Sequence, residues 1–461
     1  MKNFNEFKNE LKTKKIAILG AGISNIPLIK YLKNLNCNIT LFDNKELSCL
    51  NEDIQTLISK KEINAFLGTN AFENLKNFDI IFRSPSILPT NPYLEEEKKK
   101  GALITTEIEQ VIKYSKAKTI GITGSKGKTT TTTIINEILT NMGYITHLGG
   151  NIGIPLFDKI EDFKETDIVI LELSSFQLMN MKVSPNIAVV TNISPDHLDI
   201  HSSYEEYINA KKHIFKNQHE TDLVILNYDD EIVKEFSKET NSQIKYFANH
   251  HIKDSYILNN EFIYFNNKAI LDTNKFLLKG NHNYLNICAA LNAIKEYINI
   301  PNDKLEDIIS QINSVKHRLE FVTEINGVKW YNDSASTTPD KSLAGINAFK
   351  ENIILIAGGY DKNISYDSLA KPIINKVSKL ILFGDTKDKI YNSVMEEIKK
   401  TNNKVKTRIY IMDTLEEVIT IANKVSEPGE VVLFSPASAS FDMFKNAYER
   451  GDLFKKIVNN L

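Results

Sequence analysis

Thr119-Ile120-Gly121-Ile122-Thr123-Gly124-Ser125-Lys126-Gly127-Lys128-Thr129-Thr130 decides the fold of this chain. Apolar residues and Thr open it as a short strand. A glycine loop follows, and Thr131 to Leu139 continues with helical character. Strand, glycine loop and helix together make a phosphate site. Glycines let backbone N–H groups curl around phosphate oxygens, and the helix N-terminus adds its positive dipole end. In such a loop Lys128 reaches the β- and γ-phosphates and the Thr129 hydroxyl binds Mg²⁺. The generic pattern places Gly six residues before the Lys, where this chain has Ile122. The loop is therefore a shorter Gly-x-x-Gly-Lys-Thr.

Downstream, Asp167-Ile168-Val169-Ile170-Leu171-Glu172 reads as a buried parallel strand ending in a carboxylate. An acid delivered at that edge is what an NTP-bound Mg²⁺ needs. Ile187 to Thr191 repeats the pattern and delivers Asn192, Asp196 and His197 to the same predicted sheet edge. Tyr204 to Phe215 forms an amphipathic helix, with Ser203 as cap and Glu206 placed to complete a capping box. Tyr204, Ile208, Lys211 and Phe215 fall on one stripe, so Lys211 points inward, where an unpaired ammonium is costly. Either it snorkels to the surface or it is used chemically.

Upstream, Lys15 to Leu19 is a strand entering the turn Gly20-Ala21-Gly22-Ile23-Ser24-Asn25. A helix over 26–35 and a strand from Asn38 to Phe42, ending at Asp43, complete a βαβ nucleotide unit. Asn25 replaces the third glycine of the dinucleotide fingerprint, which leaves NAD and a nucleotide diphosphate as open alternatives. Asp79 to Arg83 is another strand, ended by Ser84-Pro85-Ser86. The run from Glu95 to Lys100 reads as a solvated helix face. This first domain spans residues 1–115, and a central domain spans 116–316. Within the latter, a strand covers Leu223–Leu226, and short runs from Ile244 to Leu278 break at Asn259-Asn260 and Asn266-Asn267, predicting a small antiparallel patch. Gly280-Asn281-His282-Asn283 leads into an Ala-rich helix, Leu285 to Tyr297, and Pro301 to Ile312 forms another. The third domain, 317–461, carries strands ending at Asn332-Asp333-Ser334, at Gly358-Gly359-Tyr360-Asp361-Lys362, at Gly384-Asp385 and at Ser435 to Ser440. It is a second doubly wound α/β unit.

The 461 residues, 42% hydrophobic and 25% charged, suit a soluble protein of about two to four domains. A net charge of −2 gives no electrostatic case for nucleic acid or a membrane surface. Three widely spaced cysteines, Cys37, Cys49 and Cys288, fit a reducing cytosol and form no metal pattern. No apolar run approaches the roughly twenty residues of a membrane span. Residues 1–15 read as polar, with no signal-peptide core. The expected setting is cytoplasmic.

Seven ordered motifs resemble the Mur ligases: Gly124 to Thr130, Glu172-Leu173-Ser174-Ser175-Phe176-Gln177, Asp196-His197, His282-Asn283, His317-Arg318-Leu319-Glu320, Asn332-Asp333-Ser334, and Ser435-Pro436-Ala437 through Arg450-Gly451. The resemblance runs from about Lys14 to Phe454, and its order and spacing are most similar to the member that adds D-glutamate. It implies three α/β domains holding a UDP-sugar substrate, ATP and the incoming amino acid in turn. It implies a cytoplasmic monomer of peptidoglycan synthesis. The resemblance further implies that ATP phosphorylates the carboxylate of UDP-N-acetylmuramoyl-L-alanine and that the amine of D-glutamate attacks the acyl phosphate. By motif match, Gly124, Ser125, Lys126, Gly127, Lys128, Thr129 and Thr130 hold ATP, with Asn283, Arg318 and Asp333. Lys128, Glu172, His197 and Lys211 form the catalytic set. Two Mg²⁺ ions are implied, one on Thr129 and Glu172, the other on His197 and a carbamylated Lys211. Gly22, Ser24, Asp43 and Ser84 lie near the uridine diphosphate; Asn151 and Gln177 match substrate positions, and Lys362 and Ser440 match D-glutamate positions.

Three residues depart from the family pattern: Lys126 stands where Asn is commoner, Ala335 where many members have Lys, and Ala447 where an aromatic is frequent. Two other readings stay open. One is another amide ligase of the superfamily, such as the L-alanine-adding Mur ligase or a folylpolyglutamate synthase, although the latter has no separate UDP-binding βαβ unit. The diaminopimelate-adding enzyme would carry Asp-Asn-Pro-Arg, which is absent. The other is a nucleotide-dependent switch, which has no need of Lys211 on an apolar helix face.

Overall fold

Most strands of this chain are short, β-branched and apolar on both faces, which is the composition that doubly covered parallel sheets require. The computed structural model describes residues 3–198, 200–259, 261–265, 267–312, 316–401 and 407–461. In chain order the strands are β1 (Lys15–Leu19), β2 (Asn38–Asp43), β3 (Asn64–Leu67), β4 (Ile80–Arg83), β5 (Leu103–Thr105), β6 (Lys118–Thr123), β7 (Thr146–Gly150), β8 (Ile168–Glu172), β9 (Ile187–Val190) and β10 (Leu223–Asn227). After them come β11 (Gln243–Ala248), β12 (Ser255–Leu258), β13 (Phe262–Phe265), β14 (Lys268–Asp272), β15 (Glu320–Ile325), β16 (Val328–Asn332), β17 (Ile353–Gly358), β18 (Val377–Phe383), β19 (Arg408–Ile411) and β20 (Val431–Phe434). Pairing is mostly parallel with a small antiparallel patch. Asn260 and Asn266, at the expected breaks around β13, lie outside the described residues.

The chain divides into two compact units, the first mainly Met1–Leu258 with Leu285–Pro301, the second mainly Asn302–Leu461 with Ala269–Tyr284. The first holds two sheets. One runs β3-β2-β1-β4-β5 and is wholly parallel. In the other, β12-β11-β10-β9-β6-β8-β7 follow one another. The expected boundary near residue 115 falls inside this unit, where both sheets draw on one core that includes Ile16, Phe82, Phe157, Val169 and Leu226. Arg83, buried, ties the sheets further. Its guanidinium donates to the carbonyls of Ile87 (3.1 Å), Phe176 (3.2 Å) and Met179 (2.8 Å).

Residues 4–13 fold as a helix (Phe4–Thr13) that buries Phe4, Phe7 and Leu11. Phe7 stacks on Tyr114 at 4.9 Å. Each buried side chain of that size contributes about 1.5–3 kcal/mol, enough to fix a helix that is polar elsewhere. Among the described residues no helix is long and apolar enough to cross a membrane.

The second unit carries the sheet β15-β16-β20-β17-β18-β19, parallel except for the β15–β16 hairpin, which is bulged between Phe321 and Thr323. In each sheet the strand order switches direction around one strand: β1, β6 and β20. Crevices at the carboxyl ends of strands open at such switch points. Gly20–Ser24, Gly124–Gly127 and Ser435–Ser440 sit at those three places.

Candidate active site

Gly124 leaves β6 at φ 146°, and a Cβ there would lie 1.9 Å from the Thr191 hydroxyl, so only glycine fits. The segment after β9 clamps the loop. Asn192 accepts from the Lys126 amide (2.9 Å) and donates to its carbonyl (2.8 Å), and the Ser125 hydroxyl joins Ser194 and Tyr207. Gly127 caps the helix Lys128–Asn141. The helix therefore begins at the lysine itself, three residues before the expected start, and places Lys128, Thr129 and Thr130 in its first turn. The Lys128 ammonium donates to the carbonyls of Gly124 (2.8 Å) and Ser125 (3.1 Å).

Lys211 reaches the same point from the helix Tyr204–Lys216. The inward face of that helix is Tyr207, Ala210, Lys211, Ile214 and Phe215; Tyr204 and Ile208 are only half-buried. Ser203 caps the helix as expected, but the Glu206 carboxylate takes the Ser202 amide (2.6 Å) instead of closing a capping box on Ser203. Lys211, 2% exposed, donates to the Gly124 carbonyl at 2.8 Å and lies over the Tyr207 ring. Burial, and next the Lys128 ammonium, hold its proton affinity well below the usual lysine range; Asp196 and Glu172 oppose this.

Glu172, at the end of β8, is fully buried. One carboxylate oxygen accepts from the Asn151 side-chain amide at 2.8 Å, and the other has no protein donor. A buried carboxylate oxygen left open beside a phosphate loop is a seat for a hard cation. Among the described residues no three His, Cys, Asp or Glu side chains form a ready metal cage. His197 stands near this edge in an exposed loop at φ 52°, its ring 5.1 Å from Phe176. His201, which sequence reading passed over, is the buried one: it stacks on Phe176 (5.3 Å) and hydrogen-bonds Ser175 (3.0 Å).

A cleft of about 480 Å³ opens beside these groups. Ser24, Asn151 and Gln177 all line it, with Glu107 and Phe176. The Gly150 turn brings Asn151 there: a Cβ at Gly150 would lie 2.1 Å from the Glu172 carbonyl, and the Asn151 amide donates to that carbonyl at 2.8 Å. Gln177 is anchored by a capping box with Ser174. Gly20, Gly22 and Ser84 pack together at the first sheet's switch point. Asp43 accepts from the Ala21 amide of that turn (2.7 Å) and from the Lys45 amide (2.9 Å).

In the second unit, His317 (φ 67°) and Leu319 (φ 45°) hold left-handed conformations that turn their side chains inward and leave Arg318 exposed. The strain is held by three bonds: Leu319 amide to Asp333 (3.2 Å), His317 amide to Glu320 (2.9 Å), and Ala335 amide to the His317 carbonyl (2.8 Å). Asn283, near the start of the helix Asn281–Ala293, donates to the Lys279 carbonyl at 2.7 Å. The loops carrying Lys362 and Ser440 are joined: Tyr360 and Ala439 form a bridge, and the Tyr360 amide donates to the Ala439 carbonyl at 3.0 Å. Lys362 is exposed and Ser440 buried. Arg450, fully buried, pins this corner by donating to Ser334, Ser438 and Ala439. Sequence reading had it only as part of a motif.

Asp333 is buried and accepts from the Ser435 hydroxyl at 2.6 Å. Desolvation outweighs its hydrogen bonds and pushes it up to about 6. Between its ordinary value and about 6 the folded chain binds the extra proton, so this group's contribution to stability falls as pH rises through that window. The shift corresponds to about 3 kcal/mol. Asp333→Asn, neutral throughout, should therefore gain on the parent by an amount of that order between pH 4 and pH 7 in urea unfolding. A pH-independent difference would show that Asp333 does not titrate in this way.

The family model "Mur ligase MurD-like, N-terminal domain" matches residues 14–106, "Mur ligase middle domain" residues 122–294, and "Mur ligase, glutamate ligase domain" residues 317–438. The UDP-N-acetylmuramoylalanine–D-glutamate ligase of Clostridium tetani is 47% identical, with all of both chains covered. Its namesakes from Clostridium novyi and Clostridium botulinum (strain Langeland) are 45% and 43% identical, covering 100% of this chain and 100% and 99% of theirs. Among solved structures, UDP-N-acetylmuramate-alanine ligase of Thermotoga maritima superposes with a TM-score of 0.57 at 18% identity, over 97% of this chain and 99% of that one. The MurF ligase of the same organism, in complex with ADP, gives 0.55 at 17% identity, over 98% and 99%.

Proposed function

We propose, from the premise that the chain belongs to the Mur ligase family, that it joins D-glutamate to UDP-N-acetylmuramoyl-L-alanine at the expense of ATP. The observation that carries this reading is the convergence of Lys128 and Lys211 on the Gly124 carbonyl, in a loop that also borders the open oxygen of Glu172. A switch protein has no use for the second lysine; a ligase does. Full-length identity of 43–47% to relatives named for D-glutamate supports the substrate.

In this reading residues 1–115 hold the sugar nucleotide, 116–316 hold ATP, and 317–461 hold the amino acid. Gly124–Thr130 cradle the phosphates, and Asn283, Arg318 and Asp333 contact the nucleotide. Lys128 follows the charge of the transferring phosphoryl group, because phosphoryl transfer is mostly positioning and neutralisation. Thr129 and Glu172 hold one Mg²⁺; His197 and a carbamylated Lys211 hold a second. Bound Mg²⁺ supplies Lewis-acid neutralisation of phosphate oxygens. Asn151 orients Glu172 and faces the acceptor cleft with Gln177. The enzyme acts as a cytoplasmic monomer.

The deciding assay is phosphate release. It should require UDP-N-acetylmuramoyl-L-alanine and D-glutamate together. Release that ignores D-glutamate returns the chain to the switch reading, and dependence on L-alanine makes it a different ligase of the family.

D-Glutamate brings two carboxylates and an amine that must stay free to attack, so a fixed cation has to hold the carboxylates. Lys362 and Ser440 are the groups for this. Lys362→Ala should raise the KM for D-glutamate at least tenfold while the KM for ATP stays within a factor of two to three. An unchanged D-glutamate dependence removes Lys362 from the site and turns attention to the region of Ala335.

A further inference from the structure

Glu107 opens the helix Glu107–Tyr114 and lines the cleft shared by Ser24, Asn151 and Gln177. It is 5% exposed, and one of its carboxyl oxygens is buried without a partner. Among the described residues lining the cleft it is the one with an ionisable side chain; no Lys, Arg or His stands there to neutralise it. The charged group that bears on it is Asp158, of like sign, in the turn Phe157–Lys159. On its own helix, Glu109 is committed to Thr105 and the Lys182 amide. An ionised Glu107 would thus be a bare carboxylate in a wall that must also receive an anionic ligand.

We propose that Glu107 binds the substrate as a neutral carboxylic acid, donating its O–H to an oxygen of the sugar nucleotide. This rests on the cleft being the sugar-nucleotide site. A carboxylic acid is both donor and acceptor, and in a pocket without cations it is the form that does not repel a diphosphate. Desolvation, with Asp158 adding to it, pushes Glu107 up to about 8, so the donor is in place at neutral pH and lost in mild alkali. Substrate affinity is then linked to that proton. Sequence reading missed Glu107 because the wall opposite it comes from Gly150–Pro155 and Ser174–Gln177, far along the chain.

The test is calorimetric binding of UDP-N-acetylmuramoyl-L-alanine without ATP, so that no turnover intervenes. For the parent, Kd should rise about tenfold from pH 7 to pH 9, as one ionisation near 8 requires. Glu107→Gln, which keeps a donor and cannot ionise, should have a flat profile over the same range and also correct for titration of the ligand. Glu107→Ala should bind at least several-fold more weakly at pH 7. Independently, the parent at pH 8.5 should take up between roughly half a proton and one proton on binding, measured in two buffers of different ionisation enthalpy. Parallel pH profiles for parent and Gln variant, or no proton uptake, overturn this inference and leave the ligase reading intact. No binding at any pH overturns both.

Discussion

Lys128→Ala should lower turnover by on the order of a thousandfold or more while leaving the fold in place. The magnitude follows from what a single preorganised charge contributes at a site where negative charge is moving. Phosphoryl transfer offers the protein little covalent work, so losing the cation that tracks the phosphoryl group removes a large share of the acceleration. The lysine opens its helix half-exposed and donates to the loop carbonyls of Gly124 and Ser125. Removing it should move the thermal midpoint by only a few degrees. Lys128 also helps hold down the proton affinity of Lys211, so its removal harms the site twice. Lys128→Met, which keeps the side-chain length without the charge, should be as inactive as the alanine variant. Turnover within tenfold of the parent in either variant would mean that Gly124–Thr130 is a turn with no phosphate role.

The parts of this site legible in the sequence are those whose signal is local. A glycine loop between an apolar strand and a helix announces itself within twelve residues. Glu172 ends an uninterrupted apolar run, and Lys211 interrupts an apolar stripe, so each stands out against its neighbours. What stayed hidden depends on distant partners or on short edge elements. The helix Phe4–Thr13 looks polar because only Phe4, Phe7 and Leu11 are buried, at spacings that carry meaning only once Tyr114 and Phe157 supply the other side. Strands β3, β5 and β19, of three or four residues, are not fully apolar, and their neighbours decide them. Asp43 reads as a ligand residue because it sits about twenty positions after a glycine turn. One of its oxygens accepts from the Ala21 amide of that turn and the other from the Lys45 amide just past β2, a structural use that spacing alone does not reveal. Glu206 satisfied the capping-box spacing and chose the amide one residue earlier, since Ser202 offers its hydroxyl as well (3.0 Å).

Lys211→Ala should be nearly inactive, and acetate or a similar short carboxylate should restore part of the loss. Lys211 is a primary amine whose proton affinity burial and the Lys128 ammonium hold well below the usual lysine range. A neutral amine is nucleophilic, and its attack on CO₂, with loss of one proton, gives a carbamate. That modification would convert a group with donors only into one with anionic oxygens, which would suit the hard cation that the open oxygen of Glu172 also favours. An ammonium at the same point would face Lys128 with a like charge and would compete with the metal. The neighbouring carboxylates, Glu172 and Asp196, are too weak an influence to reverse this. Intact-protein mass spectra cannot be relied on for a labile carbamate, so the readout is chemical. Parent activity should fall when CO₂ and bicarbonate are removed and return when bicarbonate is added. The alanine variant should ignore bicarbonate and respond to acetate. A fully active alanine variant, or a parent indifferent to bicarbonate with an unmodified lysine in an Mg²⁺-bound crystal structure, would return Lys211 to a structural role. Its ammonium would then serve only to hold the Gly124 carbonyl and brace the loop.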